Sequence, residues 1–408
     1  MQHNRKSYIF FVGLPILLLC GIVYATFNSV NVPLKASYRS EHDIFEARNQ
    51  ITLDFELSKP VSTTLFLESS YGNTVLESDN GSFALPVFIS RKRGKLKYTL
   101  LHNKKVLLTG DIEIIPNRKT PVVLESYIGP PSILAGGHDY TMQSVIPTDS
   151  YDNPLPDSTA IQVQHQFLDL ERYKTIYTKD LLGWIRIFSY PKSGRILLSS
   201  KVEETTSKEF SVEVYPWLPV DFEITSSRKH NYADGNQITH FTTSILRDQY
   251  GNIVSDGTLV DAYIYPKNGT VLRTQGKTVN GQALLKMLHP DHAETWRIKA
   301  FVEGIAESNT LTLDYVSVID DFDVSFHQKK RRIRVGPLFS FMGQLIPDGA
   351  VVTLKIFRQG QKIETKVKTS FEGKVEFWLD KDFYPNGKYT VVVNAMGIQK
   401  EFKDMQLQ

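Results

Sequence analysis

Beyond residue 28, hydrophobic and polar residues alternate along most of the chain with a period of two. Residues 51–57 (ITLDFEL) and 210–214 (FSVEV) are clear examples. Successive side chains of a β-strand point to opposite faces, so this pattern predicts strands with one buried and one solvated face. Asn-Gly pairs such as Asn280-Gly281 favour tight hairpins between the runs, because both residues tolerate positive φ. The pattern therefore predicts antiparallel β structure.

The segment 168–182 is the best candidate for a helix, but two short strands fit it equally well. Residues 172–177 (RYKTIY) alternate as a strand would. No long segment beyond residue 28 shows the 3.6-residue period of an amphipathic helix. The sequence leaves both interpretations of 168–182 open.

The N-terminal region has a different pattern. Residues 8–27 are an uncharged, mostly apolar stretch of twenty residues, and Arg5 and Lys6 precede it. As a helix this stretch reaches about 30 Å, the thickness of a bilayer core. Positive residues before the span favour a cytoplasmic N-terminus and export of the rest. We expect an uncleaved signal anchor over 1–29, with the bulk of the chain extracytoplasmic.

Two alternatives to this anchor follow from the same stretch. A signal peptidase would cut after Ala25 if the segment were a cleaved signal peptide. Lipidation would use Cys20, although Leu19 stands where a small residue is expected. Because Cys20 is the only cysteine, an internal disulfide, a CxxC redox motif and a cysteine-rich zinc site are excluded.

The chain contains a repeat of about 100 residues. Residues 149–161 (DSYDNPLPDSTAI) align with 248–260 (DQYGNIVSDGTLV), 99 residues later. Weaker copies are found at 347–354 and 59–67. A fixed period of this kind indicates a tandem array of similar structural units.

The repeated motif contains two chain reversals followed by a β-branched strand. Its Asn and Gly residues suit the positive φ of such turns. The stretch Asp248–Val260 resembles the D-x-Y-G-N-x-V-x-D-G-T-x-V signature of bacterial immunoglobulin-like domains of the invasin and intimin type. The first copy departs from it at Asp152 and Ser158, which are also turn formers. The resemblance implies a fold and not an activity.

We therefore expect an all-β fold, a tandem array of immunoglobulin-like β-sandwiches behind one N-terminal transmembrane helix. Proline-bearing linkers at 116–121 and 215–219 and a third linker at 316–323 separate the repeats. The expected domains are listed here by their bounds: 30–116, 117–217, 218–316 and 317–408. Short linkers with proline favour a semi-rigid array over a flexible string.

Composition and charge narrow the class of function. The chain has 47 Lys and Arg against 44 Asp and Glu, so no global basic field favours nucleic acid. Gly-x-Ser-x-Gly and phosphate-loop motifs are absent. The sequence therefore predicts a protein that is not an enzyme and needs no cofactor.

Two sets of residues offer possible metal ligands. Residues 289–294 (HPDHAE) place four potential ligands within six positions, but a polar hairpin loop explains them equally. The acidic turn residues could gather around calcium, but turn formation accounts for them without an ion. They are Asp149, Asp152, Asn153, Asp157, Asp248, Asn252 and Asp256. Asp320, Asp321 and Asp323 at the third linker are interpreted in the same way. We predict no metal site.

The basic run KKRRIR at 329–334 is the candidate binding site. Alternation in a strand would put its charges on both faces, so we expect a solvated hairpin tip or a protruding edge. Such a run can protect a sheet edge from pairing, or bind an anionic polysaccharide, phospholipid head group or acidic protein. The candidate partner-binding residues are Lys329, Lys330, Arg331, Arg332 and Arg334.

Together these observations favour a non-enzymatic, membrane-anchored cell-envelope protein. It would present immunoglobulin-like domains for binding, adhesion or spacing, with a protein or polysaccharide as partner. The alternative is a subunit of an envelope transport, secretion or surface-assembly complex.

Overall fold

The computed structural model describes residues 33–40, 42–267 and 269–408. In these residues the chain is nearly all β, with one four-residue helix, α1 (Val87–Ser90). The all-β prediction is confirmed. The predicted anchor over 1–29 lies outside the described residues. Within them, no helix is long and apolar enough to cross a membrane.

Buried hydrophobic residues fall into four clusters along the described parts of the chain. We use these clusters, with the strands that enclose them, to define units 1 to 4. Their spans are 36–115, 122–215, 222–317 and 318–407. Each unit has its own core because alternate residues of its strands point inward.

Unit 1 encloses its core between two layers of strands. Its strands are β1 (Ala36–Tyr38), β2 (Ile44–Glu46), β3 (Thr52–Leu57), β4 (Thr63–Ser69), β5 (Gly72–Ser78), β6 (Ser82–Ala84), β7 (Gly94–His102) and β8 (Lys105–Ile115). The sheet orders are β1-β3-β6 and β2-β8-β7-β4-β5. Leu53 of the first sheet and Leu65 of the second are fully buried in the same cluster.

Unit 2 repeats this arrangement. Its strands are β9 (Val123–Gly129), β10 (Ser132–Leu134), β11 (Tyr140–Thr148), β12 (Ala160–Phe167), β13 (Leu170–Tyr177), β14 (Gly183–Phe188), β15 (Gly194–Val202), β16 (Thr205–Thr206) and β17 (Phe210–Tyr215). The sheet orders are β14-β11-β9 and β10-β17-β15-β12-β13, with β16 beside β15. Strand β13 settles the ambiguity of 168–182 in favour of a strand.

Unit 3 links its strands into one continuous path, β18-β20-β23-β22-β21-β24-β25-β19. Its strands are β18 (Ile224–Ser227), β19 (Tyr232–Ala233), β20 (Ile238–Thr243), β21 (Leu259–Pro266), β22 (Leu272–Val279), β23 (Gln282–Leu288), β24 (Glu294–Val302) and β25 (Ala306–Ser317). Asn280 and Gly281 form the predicted hairpin, with φ of 52° and 76°. Phe241 and Trp296 are buried in the core.

Unit 4 again has two sheets, β26-β27-β30 and β29-β28-β31-β32. Its strands are β26 (Val324–His327), β27 (Arg332–Val335), β28 (Val351–Arg358), β29 (Gln361–Thr369), β30 (Val375–Trp378), β31 (Gly387–Ala395) and β32 (Ile398–Leu407). Phe377 and Tyr389, one from each sheet, are buried in the same cluster.

Candidate functional site

The basic run covers part of the turn between β26 and β27 and the first three residues of β27. Gln328, Lys329 and Lys330 have positive φ values of 52°, 57° and 67°, so the backbone reverses at these residues. The side chains of Lys329 and Lys330 are exposed. These two lysines are the most exposed residues of the run.

Arg331 departs from the expectation of a solvated tip, since only 5% of the residue is exposed. Its guanidinium donates to the carbonyl oxygens of Leu379 and Tyr384, at 3.1 and 2.9 Å. It also donates to the Asn386 side chain at 2.8 Å and to the backbone oxygen of Gln408 at 2.8 Å. The expectation was wrong because the backbone turn directs this side chain into unit 4, where it joins the β30–β31 loop to β32.

Arg332 and Arg334 both pair with Glu376 of the neighbouring strand β30. Their Nε atoms donate to separate oxygens of the Glu376 carboxylate at 2.9 and 2.8 Å. These hydrogen bonds, from Arg332 first and Arg334 second, lower the pKa of Glu376. One carboxylate therefore offsets part of the positive charge that the sequence places at this hairpin.

The potential metal ligands of residues 289–294 form hydrogen bonds with different partners. His289 is buried, and its Nδ1 lies 2.8 Å from the Tyr232 carbonyl oxygen. Burial lowers the pKa of His289 and so favours the neutral ring. Glu294 accepts a hydrogen bond from the Trp296 indole at 2.6 Å. Among the described residues, no group of three or more His, Cys, Asp or Glu side chains is arranged to hold a metal ion.

Asp149 of the first repeat motif is buried and organises the turn around it. One of its oxygens accepts hydrogen bonds from the backbone N–H groups of Tyr151 and Asn153, at 2.8 and 3.0 Å. The other accepts from the Asn117 backbone at 2.8 Å and the Asn153 side chain at 2.9 Å. The carboxylate thus ties the linker before unit 2 to the motif.

Asp248 repeats this arrangement between β20 and β21 of unit 3. One oxygen accepts from the backbone of Tyr250 and Asn252, each at 2.9 Å. The other accepts from the Trp217 backbone and the Asn252 side chain, each at 2.8 Å. Burial alone would raise the pKa of Asp248, but the hydrogen bonds outweigh it and the pKa is lowered. The aspartate therefore stays ionised in a nearly buried position.

The asparagine of each motif contacts the preceding unit. The Asn153 amide donates to the Arg91 carbonyl oxygen at 2.7 Å and accepts from the Arg93 backbone N–H at 2.8 Å. The Arg93 side chain donates to the Pro154 carbonyl oxygen at 2.6 Å. Tyr151 packs against the core of unit 1. Residues on both sides of this junction therefore hold units 1 and 2 together.

The second junction has the same geometry. The Asn252 amide donates to the Pro191 carbonyl oxygen at 2.8 Å and accepts from the Ser193 backbone N–H at 2.9 Å. The Tyr250 ring lies so close to Gly136 that a Cβ there would fall 2.9 Å from the ring hydroxyl. We call these two contacts the Asp–Asn joints.

The two asparagines close the turns as the sequence predicts, since their carbonyl oxygens accept hydrogen bonds from the N–H groups of Asp149 and Asp248, each at 2.9 Å. The expectation that they have positive φ was wrong. Asp152 and Gly251, one position earlier, have the positive φ values of the turns, 63° and 82°. Asn153 and Asn252 are absent from the residues with positive φ and instead bridge the junctions. The recurrence of the same asparagine 99 residues later was the available signal in the sequence. It does not reveal which residues of the preceding unit the asparagine contacts.

The third junction keeps the turn but changes the contact. Ser340 and Gln344 replace the aspartate and asparagine, and the Ser340 N–H still donates to the Gln344 carbonyl oxygen at 2.8 Å. Across the junction, the rings of Phe341 and Tyr232 lie 4.5 Å apart between centroids. In the described residues the Gln344 side chain makes no hydrogen bond to unit 3. Units 3 and 4 therefore meet through rings rather than through an Asp–Asn joint.

A further surface, not identified from the sequence, lies on the outer side of the β14-β11-β9 sheet of unit 2. Six side chains compose it, and we call it the aromatic face: Tyr127, Tyr140, Met142, Trp184, Arg186 and Phe188. All six are exposed. The sequence of β14 (GWIRIF) could have indicated this surface, because it has apolar residues at both odd and even positions.

The comparisons with known proteins give structural similarity at low sequence identity. No protein-family model matches the chain, and no curated protein matches its sequence. The structure of FdeC, an Escherichia coli adhesin, is similar over 69% of this chain and 96% of that chain, with 12% identity and a TM-score of 0.46. Invasin, a bacterial integrin-binding protein, is similar over 91% of this chain and 79% of that chain, with 12% identity and a TM-score of 0.45.

Proposed function

We propose that this protein is a non-enzymatic, membrane-anchored cell-envelope protein that presents a row of immunoglobulin-like domains to a partner outside the cytoplasm. The domain boundaries in this proposal are near residues 116, 217 and 316. The Asp–Asn joints are the observation that supports it. A flexible tether has no need for the same buried aspartate and bridging asparagine at two successive junctions.

The energetics of the joints fit a semi-rigid spacer. A net hydrogen bond contributes roughly 0.5–1.5 kcal/mol, so the two asparagine bonds of one joint contribute about 1–3 kcal/mol. Since 1.4 kcal/mol is about a tenfold change in an equilibrium constant, each joint favours the docked arrangement by roughly fivefold to a little over hundredfold. Neighbouring units therefore prefer one relative orientation but can still undock.

Distance measurements between spin labels test this proposal. The full chain carrying Cys20→Ser has no other cysteine. Labels at Lys174→Cys in unit 2 and Lys277→Cys in unit 3 occupy exposed sites. We expect a narrow distance distribution between them. A distribution as broad as that of a flexible linker would contradict the spacer function.

The anchor is tested on membranes from the native cell. We expect the chain to remain with the membrane after high-salt and carbonate washes. N-terminal sequencing that finds a mature chain beginning at Thr26 would replace the anchor by a cleaved signal peptide. The presenting function would then belong to a soluble exported protein.

The aromatic face favours a second candidate function, a subunit of an envelope transport, secretion or surface-assembly complex. Large exposed apolar patches are typical of surfaces that a partner covers. Size-exclusion chromatography with light scattering on the detergent-solubilised chain separates the two candidates. A monomer supports the presenting protein, and a stable hetero-complex supports the subunit.

A further inference from the structure

We propose that the aromatic face of unit 2 is a docking surface for a folded protein partner that places an Asp or Glu carboxylate against Arg186. This inference rests on the proposed function in either of its two forms, and it names the surface and the chemistry of the partner.

Strand register makes the aromatic face contiguous. Ser144 of β11 lies opposite Tyr127 of β9 on one side and Trp184 of β14 on the other. Met142 lies opposite Arg186. Directly opposite residues in antiparallel strands have Cβ atoms about 4.5–5.5 Å apart, so these side chains are neighbours.

The second row of the aromatic face continues it along the strands. Tyr140 lies opposite Phe188, and their ring centroids are 5.5 Å apart. Residues two positions apart on a strand share a face, so this row adjoins Met142 and Arg186. The six side chains therefore form one surface rather than scattered exposed residues.

The aromatic face exposes large apolar side chains, which is unusual for the solvated face of a sheet. Tyr127, Trp184 and Phe188 are 60%, 53% and 49% exposed. Beneath them, Ile185 and Ile187 of the same strand are buried in the unit 2 core. The solvated face of an antiparallel sheet is commonly polar, so apolar residues on both faces of β14 favour a cover on its outer side as well. The outer cover of β14 therefore comes from outside unit 2.

The other sheet of unit 2 provides an internal contrast. The exposed positions of β13 include Glu171, Arg172 and Lys174, which are charged. These charged residues are typical of a strand in contact with water. Exposed Leu170, Tyr173 and Tyr177 alternate with these charges, so β13 presents a mixed surface, whereas Arg186 is the single charged residue of the aromatic face.

The residue types of the aromatic face indicate a protein partner. Tyr, Trp, Phe, Met and Arg are the residues enriched in protein–protein interfaces, and Trp, Tyr and Arg dominate the binding energy in them. Phe188 has no group that can hydrogen-bond the hydroxyls of a polysaccharide, and Met142 has only a weakly accepting thioether sulfur. The surface therefore fits a folded protein better than a glycan.

Arg186 specifies the charge of that partner. Its guanidinium lies 4.9 Å from the centroid of the Tyr140 ring and 5.8 Å from that of Trp184. Within the part of the chain that the structure describes, no carboxylate pairs with it. A docked partner would remove Arg186 from water, and a buried charge is unfavourable unless it is paired. A carboxylate on the partner satisfies this requirement, because Arg binds carboxylates through two parallel hydrogen bonds.

Site-specific photo-crosslinking in native membranes tests the proposal with the full chain. A photoreactive phenylalanine analogue replaces Trp184 in one variant, Tyr177 in a second and Lys329 in a third. Tyr177 is a matched control, since it is an exposed aromatic residue on the other sheet of unit 2. We expect a protein adduct from position 184, with the crosslinked peptide beside an Asp or Glu of a folded domain, and none from position 177.

Charge reversal in the captured pair completes the test. We expect Arg186→Glu to weaken binding of the identified partner at least tenfold, as interface arginines do. Lys174→Glu, which reverses an exposed charge on the other sheet, should leave binding unchanged. Substituting the partner's carboxylate by Arg should restore binding to the Arg186→Glu chain. All variants should keep the thermal midpoint of the wild type, because the changed side chains are exposed.

Several results would overturn this docking surface. They are the absence of an adduct at 184, an adduct that is a second copy of this chain or a polysaccharide, and unchanged binding of Arg186→Glu. A partner captured only from position 329 or 177 would leave the presenting function intact and reject the aromatic face. The absence of an adduct at all three positions would count against both.

Discussion

The side-chain amide of Asn252 donates a hydrogen bond to the carbonyl oxygen of Pro191 across the junction between units 2 and 3, at 2.8 Å. Asn153 makes the same bond to Arg91 at the junction before it, at 2.7 Å. Each asparagine is held by an aspartate four residues earlier, whose carboxylate is otherwise occupied by backbone N–H groups. Orientation of the units is therefore encoded by a side-chain pair in each of two repeats.

Removal of the bridging amide should loosen one junction without unfolding either unit. We expect Asn252→Ala to broaden the distance distribution between labels at Lys174→Cys and Lys277→Cys, because both amide bonds to unit 2 are lost. Gln344→Ala is the matched control at the third junction, where this side chain makes no such bond among the described residues. With labels at Lys277→Cys and Lys362→Cys, the control distribution should stay as it is. Equal broadening in both variants would argue against a specific role for Asn252.

The lowered pKa of Asp248 predicts acid sensitivity at the second junction. The ordinary aspartate value is about 3.9, and the folded-state pKa lies below it. The ionised Asp248 therefore stabilises the folded chain at a pH above about 4, and this contribution is lost as the pH falls through the folded-state pKa. We expect Asp248→Asn to lower the free energy of unfolding at pH 6 and to differ less from wild type at pH 3.

Urea denaturation at both pH values measures this difference. Asp320→Asn, a change at an exposed aspartate of the third linker, serves as the control and should match wild type at pH 6. A constant difference between Asp248→Asn and wild type from pH 6 to pH 3 would mean that ionisation of Asp248 does not support the joint.

Arg331 should be a stability residue rather than a binding residue. Arg331→Met removes a charged donor from several carbonyl groups, so we expect unit 4 to lose about 3 kcal/mol or more. Lys330→Glu changes an exposed charge and should alter stability by less than about 0.5 kcal/mol. Urea denaturation compares the two variants. Similar stability for both would show that Arg331 contributes little to the fold of unit 4.

Gln143 provides a stabilising substitution in unit 2. The residue is fully buried, and neither polar atom of its side chain has a hydrogen-bonding partner among the described residues. Replacing an unsatisfied buried amide by an apolar side chain removes its desolvation penalty, so Gln143→Leu should raise the free energy of unfolding by about 1–3 kcal/mol. Thr141 of the same strand is equally buried, but its hydroxyl donates to the Pro130 carbonyl oxygen at 2.8 Å.

Thr141→Val therefore serves as a control in which the free energy of unfolding should change in the opposite direction. It should lower the free energy of unfolding by about 1 kcal/mol, because a satisfied hydrogen bond is lost. Urea denaturation of the two variants measures both changes in the free energy of unfolding, the expected gain and the expected loss. A loss of stability in Gln143→Leu comparable to that in Thr141→Val would show that the Gln143 amide is satisfied in solution.

The sequence by itself determined the strands and the repeat. Alternation with a period of two predicts a strand from neighbouring residues alone, as at 51–57, where β3 forms. The Asn280-Gly281 hairpin likewise depends on the backbone freedom of two adjacent residues. These features are local, so they can be read along the chain without knowing what packs against it.

Only the tertiary structure decided the roles of Asn153, Asn252 and Arg331 and the existence of the aromatic face. Asn153 and Asn252 bond residues 62 and 61 positions earlier, and Arg331 bonds carbonyl groups as many as 77 positions later. Trp184 shares its surface with Tyr127 because β11 lies between their strands. Such contacts depend on the register and packing of distant segments, and the sequence pattern at any one of these residues is the same whether its side chain faces water, a core or another unit.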